Sequence, residues 1–167
     1  MRIFGIIGWS GSGKTTLVEK LLPELIRQGN SVSTLKHAHT QFDIDRPGKD
    51  TFRHREAGAT EVMIGTSSRW ALMHELRGEE EPTLDELVAL MTPVDLLIVE
   101  GFKYNPHPKI EVHRPSVGKP MIQGEDPYIV AIASDERLED ATVPVLDIND
   151  AGAVAGFIIE HCRLKAA

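Results

Sequence analysis

The segment Gly8-Trp9-Ser10-Gly11-Ser12-Gly13-Lys14-Thr15 follows the spacing G-x-x-x-x-G-K-S/T. That spacing belongs to a loop that holds nucleoside triphosphates. Glycines let the backbone turn sharply and bring its N–H groups up to phosphate oxygens. A lysine at this place reaches the β/γ-phosphates, and the hydroxyl after it is a magnesium ligand. Gly8, Ser10, Gly11, Ser12, Gly13, Lys14, Thr15 and Thr16 are therefore expected to cradle a nucleotide with Mg2+. Chance would produce the pattern in roughly one chain of this length in a hundred or fewer.

Magnesium in such sites needs a second acidic element on a neighbouring strand. Asp95-Leu96-Leu97-Ile98-Val99-Glu100-Gly101 supplies two candidates. Asp95 precedes the apolar run and Glu100 ends it, at the edge where α/β sheets bind ligands. Glu100 is the better placed, with Gly101 leaving room for phosphate.

A polar loop carries further chemistry: Lys36-His37-Ala38-His39, then Asp43, Asp45, Arg46 and Lys49, with Arg53 and Arg55 just beyond. One reading is a switch-like loop. Asp43 or Asp45 would touch magnesium or orient water, and Lys36, Arg46, Lys49, Arg53 and Arg55 would meet phosphates. A zinc site on His37 and His39 with Asp43 or Asp45 is the other reading, disfavoured by the local positive charge. Lys103 and Arg114 are additional cations near the expected site. Trp9 is exposed by position and available to stack on a base or a partner. Trp70 and Phe4 read as core.

The elements that must position these groups follow from periodicity. Ile3–Ile7 is a buried strand. Lys14 to Gln28 is a helix with Leu17, Leu21, Leu22, Leu25 and Ile26 on one face, closed by Gly29. Ser31–Leu35 is the next strand, which makes a βαβ unit and implies a parallel sheet with a right-handed crossover. A short helix is expected over Asp50–Ala57, and an antiparallel hairpin over Glu61–Gly65 and Arg69–His74. Thr83 and Glu86 form a capping box before Leu84, Leu87, Val88 and Met91. Asp95–Val99 is a central strand. Residues 101–128 hold five of the ten prolines and read as an irregular excursion with one strand, Lys109–His113. Ile129–Ala133 and Val143–Ile148 are the last strands, and Asp150 caps a closing helix. The fold class is thus an α/β P-loop NTPase, with a mostly parallel sheet flanked by helices plus an antiparallel hairpin, in a single domain over 1–167.

Bulk properties narrow the function. The chain has 167 residues, 41% hydrophobic and 26% charged, ordinary for one globular domain. No apolar run approaches the roughly 20 residues that span a bilayer. The apolar N-terminus is too short for a signal peptide. The lone cysteine, Cys162, allows neither an internal disulfide nor a multi-cysteine zinc site, so a cytoplasmic location is expected. The formal net charge of −7 argues against nucleic acid as a partner.

The chain resembles the MobB family, the molybdopterin-guanine dinucleotide biosynthesis proteins B. The resemblance is carried by the phosphate loop extended through Thr16-Leu17, by Lys36-His37-Ala38-His39, and by Phe42-Asp43-Ile44-Asp45 with Pro47-Gly48-Lys49-Asp50. Arg53-His54-Arg55-Glu56-Ala57-Gly58-Ala59, Val99-Glu100-Gly101-Phe102-Lys103 and Lys109-Ile110-Glu111 add to it. It implies a GTP-binding homodimer, at most weakly hydrolytic. That protein would assist the guanylyltransferase MobA, which joins GMP to molybdopterin. The strand-end Glu-Gly recurs in the wider P-loop class, which supports Glu100. No Asn/Thr-Lys-x-Asp guanine signature is present, so guanine specificity rests on the resemblance, with Asp135 after a late strand as the candidate base contact.

Three functions compete on these observations. The first is a nucleotide-gated adaptor whose 37–50 loop is ordered by the γ-phosphate. The second is a P-loop small-molecule kinase, with Arg53 and Arg55 as lid cations. The third is a metallochaperone storing metal on His37 and His39.

Overall fold

A computed structural model describes residues 1–38 and 42–166 of the chain. The strands are β1 (Arg2–Ile7), β2 (Val32–Lys36), β3 (Glu61–Gly65), β4 (Trp70–His74), β5 (Leu96–Glu100), β6 (Lys109–His113), β7 (Ile129–Ser134) and β8 (Val145–Asp147). The helices are α1 (Lys14–Arg27), α2 (Asp50–Glu56), α3 (Leu84–Ala89) and α4 (Ala151–Cys162). The chain divides into two compact units, one made of Met1–His37 with Met91–Ala167 and the other of Ala38–Leu90.

The larger unit is built on a six-stranded sheet in the order β2-β5-β1-β6-β7-β8. Every neighbouring pair in it is parallel. β1 lies inside the sheet, and the chain leaves it for β2 beyond β5, while β6 pairs on its other side. The carboxyl edge beside β1 is therefore a switch point in strand order, where such sheets hold ligands.

Alternation along the central strands sorts their side chains onto two faces. Phe4 and Ile6, Leu96 and Ile98, Ile110 and Val112, and Ala131 and Ala133 form one apolar core with α1 and α4. Helix α1 contributes Leu17, Val18, Leu21 and Leu25 to it. The predicted helical stripe is corrected at one position: Ile26 is 56% exposed, and Val18, a little over two turns earlier, is on the buried face instead. Pro23 lies inside α1 at an exposed position.

The opposite face of β6 is polar. Lys109, Glu111 and His113 alternate on it and are all buried. Ile7, Ile122 and Ile129 make a small apolar cluster on this side, with Trp9 packed against it.

The smaller unit holds α2, the β3–β4 antiparallel hairpin and α3. Thr83 and Glu86 form the reciprocal capping box expected from sequence. Trp70, read as core from its type, is 67% exposed on the hairpin. A two-stranded ribbon has no second layer of its own to bury such a ring.

Candidate functional site

Strand β1 delivers the chain into the glycine-rich loop, and α1 begins immediately after it. Gly8, Gly11 and Gly13 have φ of 148°, 81° and 96°, values that favour glycine. At Gly8 the space is closed as well: a Cβ there would lie 2.4 Å from the Val112 carbonyl oxygen and 2.8 Å from Ser12 Oγ. Helix α1 has no acidic residue in its first turn and no side-chain cap. Its leading N–H groups and the positive end of its dipole are thus left for an anion.

Thr15, Lys36 and Glu100 meet at the carboxyl edge of the sheet. Thr15 Oγ1 donates to Glu100 Oε1 at 2.8 Å. Parallel register places Lys36 beside Glu100 on the neighbouring strands. The Lys36 ammonium consequently lies 3.2 Å from Glu100 Oε1 and 3.2 Å from Thr15 Oγ1. A hydroxyl and a carboxylate that already share one cation form the hard-oxygen donor set that suits magnesium.

Lys14 Nζ donates to the Trp9 carbonyl at 2.9 Å. Burial pushes its pKa down, Glu100 opposes this, and Lys103 and Lys36 push it further down. Several lysine and arginine side chains thus gather around one loop: besides Lys14 and Lys36, the Lys103 ammonium stands 4.0 Å above the Trp9 ring, and Arg114 Nε donates to the Ser12 carbonyl at 3.1 Å. Such a concentration of positive charge at a helix N-terminus is suited to a polyphosphate.

The turn after Glu100 is equally constrained. Gly101 has φ 99°, and a Cβ there would stand 3.0 Å from the His37 Cβ. His37 N–H donates to the Glu100 carbonyl at 2.9 Å. The His37 and Phe102 rings pack with centroids 4.6 Å apart.

The structure therefore brings together Gly8, Ser10, Gly11, Ser12, Gly13, Lys14, Thr15, Thr16, Glu100 and Lys103, with His37 against the Glu100 turn. Asp95, the alternative carboxylate, stands at the other end of β5, where it accepts from Ser31 N and Oγ at 2.8 and 2.6 Å. Those bonds lower its pKa. Strand geometry separates it from Glu100 by roughly 16 Å. Asp135 pairs with Arg114, the side chain that reaches the loop carbonyl of Ser12. Trp9, expected to be exposed, is half-buried and donates from Nε1 to the Pro120 carbonyl at 2.8 Å.

Asp45 and Arg53 belong to the smaller unit. There the Arg55 guanidinium holds Asp43 at 2.9 Å and Asp45 at 3.0 Å, and Glu75 at 3.6 Å. Asp45 is the buried partner, its side chain 5% exposed. Hydrogen bonding to Asp45 is the main cause of the raised Arg55 pKa. Arg46, Lys49 and Arg53 are exposed. His39, on which the zinc and metallochaperone readings depend, lies outside the described residues.

Sequence reasoning assigned Lys109 and Glu111 a place in the resemblance but no role in the site, and assigned His107 neither; all three are buried. For Lys109 and Glu111 the signal was available: they alternate with Ile110 and Val112 in a strand of an α/β sheet, whereas His107 lies outside that strand.

Comparison with known proteins adds a family. Residues 3–135 match the family described as MobB, molybdopterin guanine dinucleotide synthesis protein B. A molybdopterin-guanine dinucleotide biosynthesis adapter protein of Haemophilus influenzae is 45% identical over 159 residues, which cover 93% of this chain and 86% of the relative. The Escherichia coli protein of the same description is 40% identical over 161 residues, covering 95% and 91%. Among solved structures, a MobB homologue from Bacillus stearothermophilus superposes with a TM-score of 0.72 at 26% identity, over 98% of this chain and 99% of that one. Another, molybdopterin-guanine biosynthesis protein B, gives 0.73 at 26% identity over 95% and 99%.

Proposed function

The chain belongs to the MobB family, and from that premise we propose that it is a GTP-binding adaptor in the biosynthesis of molybdopterin guanine dinucleotide. The observation that carries the nucleotide reading is the meeting of Lys14, Thr15 and Glu100 at the mouth of the glycine loop. Lys14 would neutralise the β/γ-phosphates, and the loop N–H groups would bind their oxygens. Thr15 and Glu100 would hold Mg2+, which supplies charge neutralisation between phosphate oxygens. Arg114, oriented by Asp135, backs the loop from the Ser12 side.

The adaptor reading draws on the relatives, which are described as adapter proteins. Hydrolysis is accordingly expected to be slow in isolation. The partner would be the guanylyltransferase MobA acting on molybdopterin, with the adaptor working as a homodimer in the cytoplasm. None of the described helices is long and apolar enough to cross a membrane. Asp45 and Arg53, on the smaller unit, would respond to the γ-phosphate as a switch element.

Calorimetric titration with GTP and ATP, with and without Mg2+, tests the proposal. Preference for GTP, dependence on Mg2+ and negligible turnover without a partner are expected. Preference for ATP, with turnover appearing only when a small-molecule acceptor is supplied, would replace the adaptor by a kinase.

A further inference from the structure

Two fully buried charges on β6 lie outside the phosphate site, yet each grips a loop that touches it. The Lys109 ammonium donates to the carbonyls of Lys103 at 2.9 Å and Asn105 at 2.7 Å, and to Asp126 Oδ2 at 2.8 Å. All three of its donors are used. The Glu111 carboxylate accepts from Ile122 N at 2.8 and 2.9 Å and from Gln123 N at 2.8 Å. Burial raises its pKa, and these backbone N–H groups pull it back.

Both grips end on the same residue. Lys109 fixes the turn after Glu100 from beneath, and that turn sends Lys103 over the Trp9 ring at 4.0 Å. Glu111 fixes the segment at Ile122, two residues beyond the Pro120 carbonyl that receives Trp9 Nε1 at 2.8 Å. Trp9 is itself a residue of the glycine loop, and its carbonyl accepts from Lys14. Buried ions are costly unless fully paired. An apolar pair would close this face at lower cost, so packing alone does not account for them.

We propose that Lys109 and Glu111 are positioning residues for the phosphate loop, acting through Trp9, which they clamp from two sides. This rests on the nucleotide reading given above. The irregular segments on either side of β6, 101–108 and 114–128, are then the outer jaw of the phosphate site, held in register by β6. The residues that set loop geometry touch no ligand.

The test uses a Trp70→Phe background, in which Trp9 is the only indole of the two in the chain. Acrylamide quenching of Trp9 and calorimetric affinity for GTP would be measured for Lys109→Met, Glu111→Leu, Trp9→Phe and the double variants. Lys109→Met and Glu111→Leu are each expected to raise the quenching constant by about twofold and to weaken GTP by about tenfold, while the further loss caused by either in the Trp9→Phe background stays under about twofold. Fully additive losses, or unchanged quenching in variants that remain folded, would overturn the proposal. Should Lys109→Met not fold, Asp126→Asn loosens the ammonium while leaving it in place, and the same increase in quenching is required of it. Were the parent protein to bind no nucleotide, the nucleotide reading would fail, and the quenching experiment would still decide whether the clamp exists.

Discussion

Thr15 Oγ1 and Glu100 Oε1 are 2.8 Å apart although 85 residues separate them in sequence. The hydroxyl starts α1 and the carboxylate ends β5. The parallel pairing of β1 with β5, which sets Ile6 opposite Glu100, brings them to one point. Everything proposed for magnesium depends on this contact.

Glu100→Gln is expected to retain GTP binding but to lose about tenfold in apparent Mg2+ affinity, because a neutral amide oxygen replaces a charged ligand. A magnesium titration at fixed GTP measures it. An unchanged titration would move the role to Asp43 or Asp45.

Lys14→Ala is expected to weaken nucleotide binding by roughly 100-fold or more, since it removes the cation that the loop itself aims at the phosphates. Calorimetry at saturating magnesium gives the answer. Retained affinity would refute the phosphate-loop reading.

Gly5→Ala is expected to destabilise the protein by about 1–3 kcal/mol through overpacking. The added Cβ would come 2.6 Å from His107 Nε2 and 2.8 Å from Lys109 Cβ. Chemical denaturation compares the two proteins. Equal midpoints would show that His107 has room to move.

His107 predicts a pH effect. Burial pushes its pKa from 6.5 down to about 4; the Lys109 ammonium adds to this and Asp126 opposes it. Neither ring nitrogen has a hydrogen-bond partner among the described residues. The folded state therefore favours the neutral ring. That contribution is complete above pH 6.5, the unfolded value, and is lost as pH falls toward about 4. Stability should decline across this window in the parent protein and decline less in His107→Leu. Denaturation midpoints measured at several pH values would reveal the difference, and identical slopes would sink the idea.

Most elements were legible because their signals are local. The βαβ opening, the hairpin, the Thr83–Glu86 box and the Asp150 cap each depend on residues a few positions apart. The failures were in burial. Trp70 is apolar and large, but its ribbon has no layer behind it, and it is 67% exposed. Lys109 and Glu111 are charged, but a central strand under an irregular loop buries them completely. Residue type predicts burial only when the layers of the fold are known.

By itself the sequence determined the glycine-rich loop, the order of strands and helices and that Asp95 and Glu100 stand at opposite ends of one strand. These follow from glycine conformation, from periodicity and from which end of a strand a residue occupies. Only the tertiary structure decided that Lys36 shares the Thr15–Glu100 pair, that Arg114 backs the loop at Ser12, and that Trp9 is gripped from two sides by loops tied to β6. Those contacts join strands distant in sequence, and a parallel sheet brings such strands together through crossovers whose lateral order no local pattern encodes.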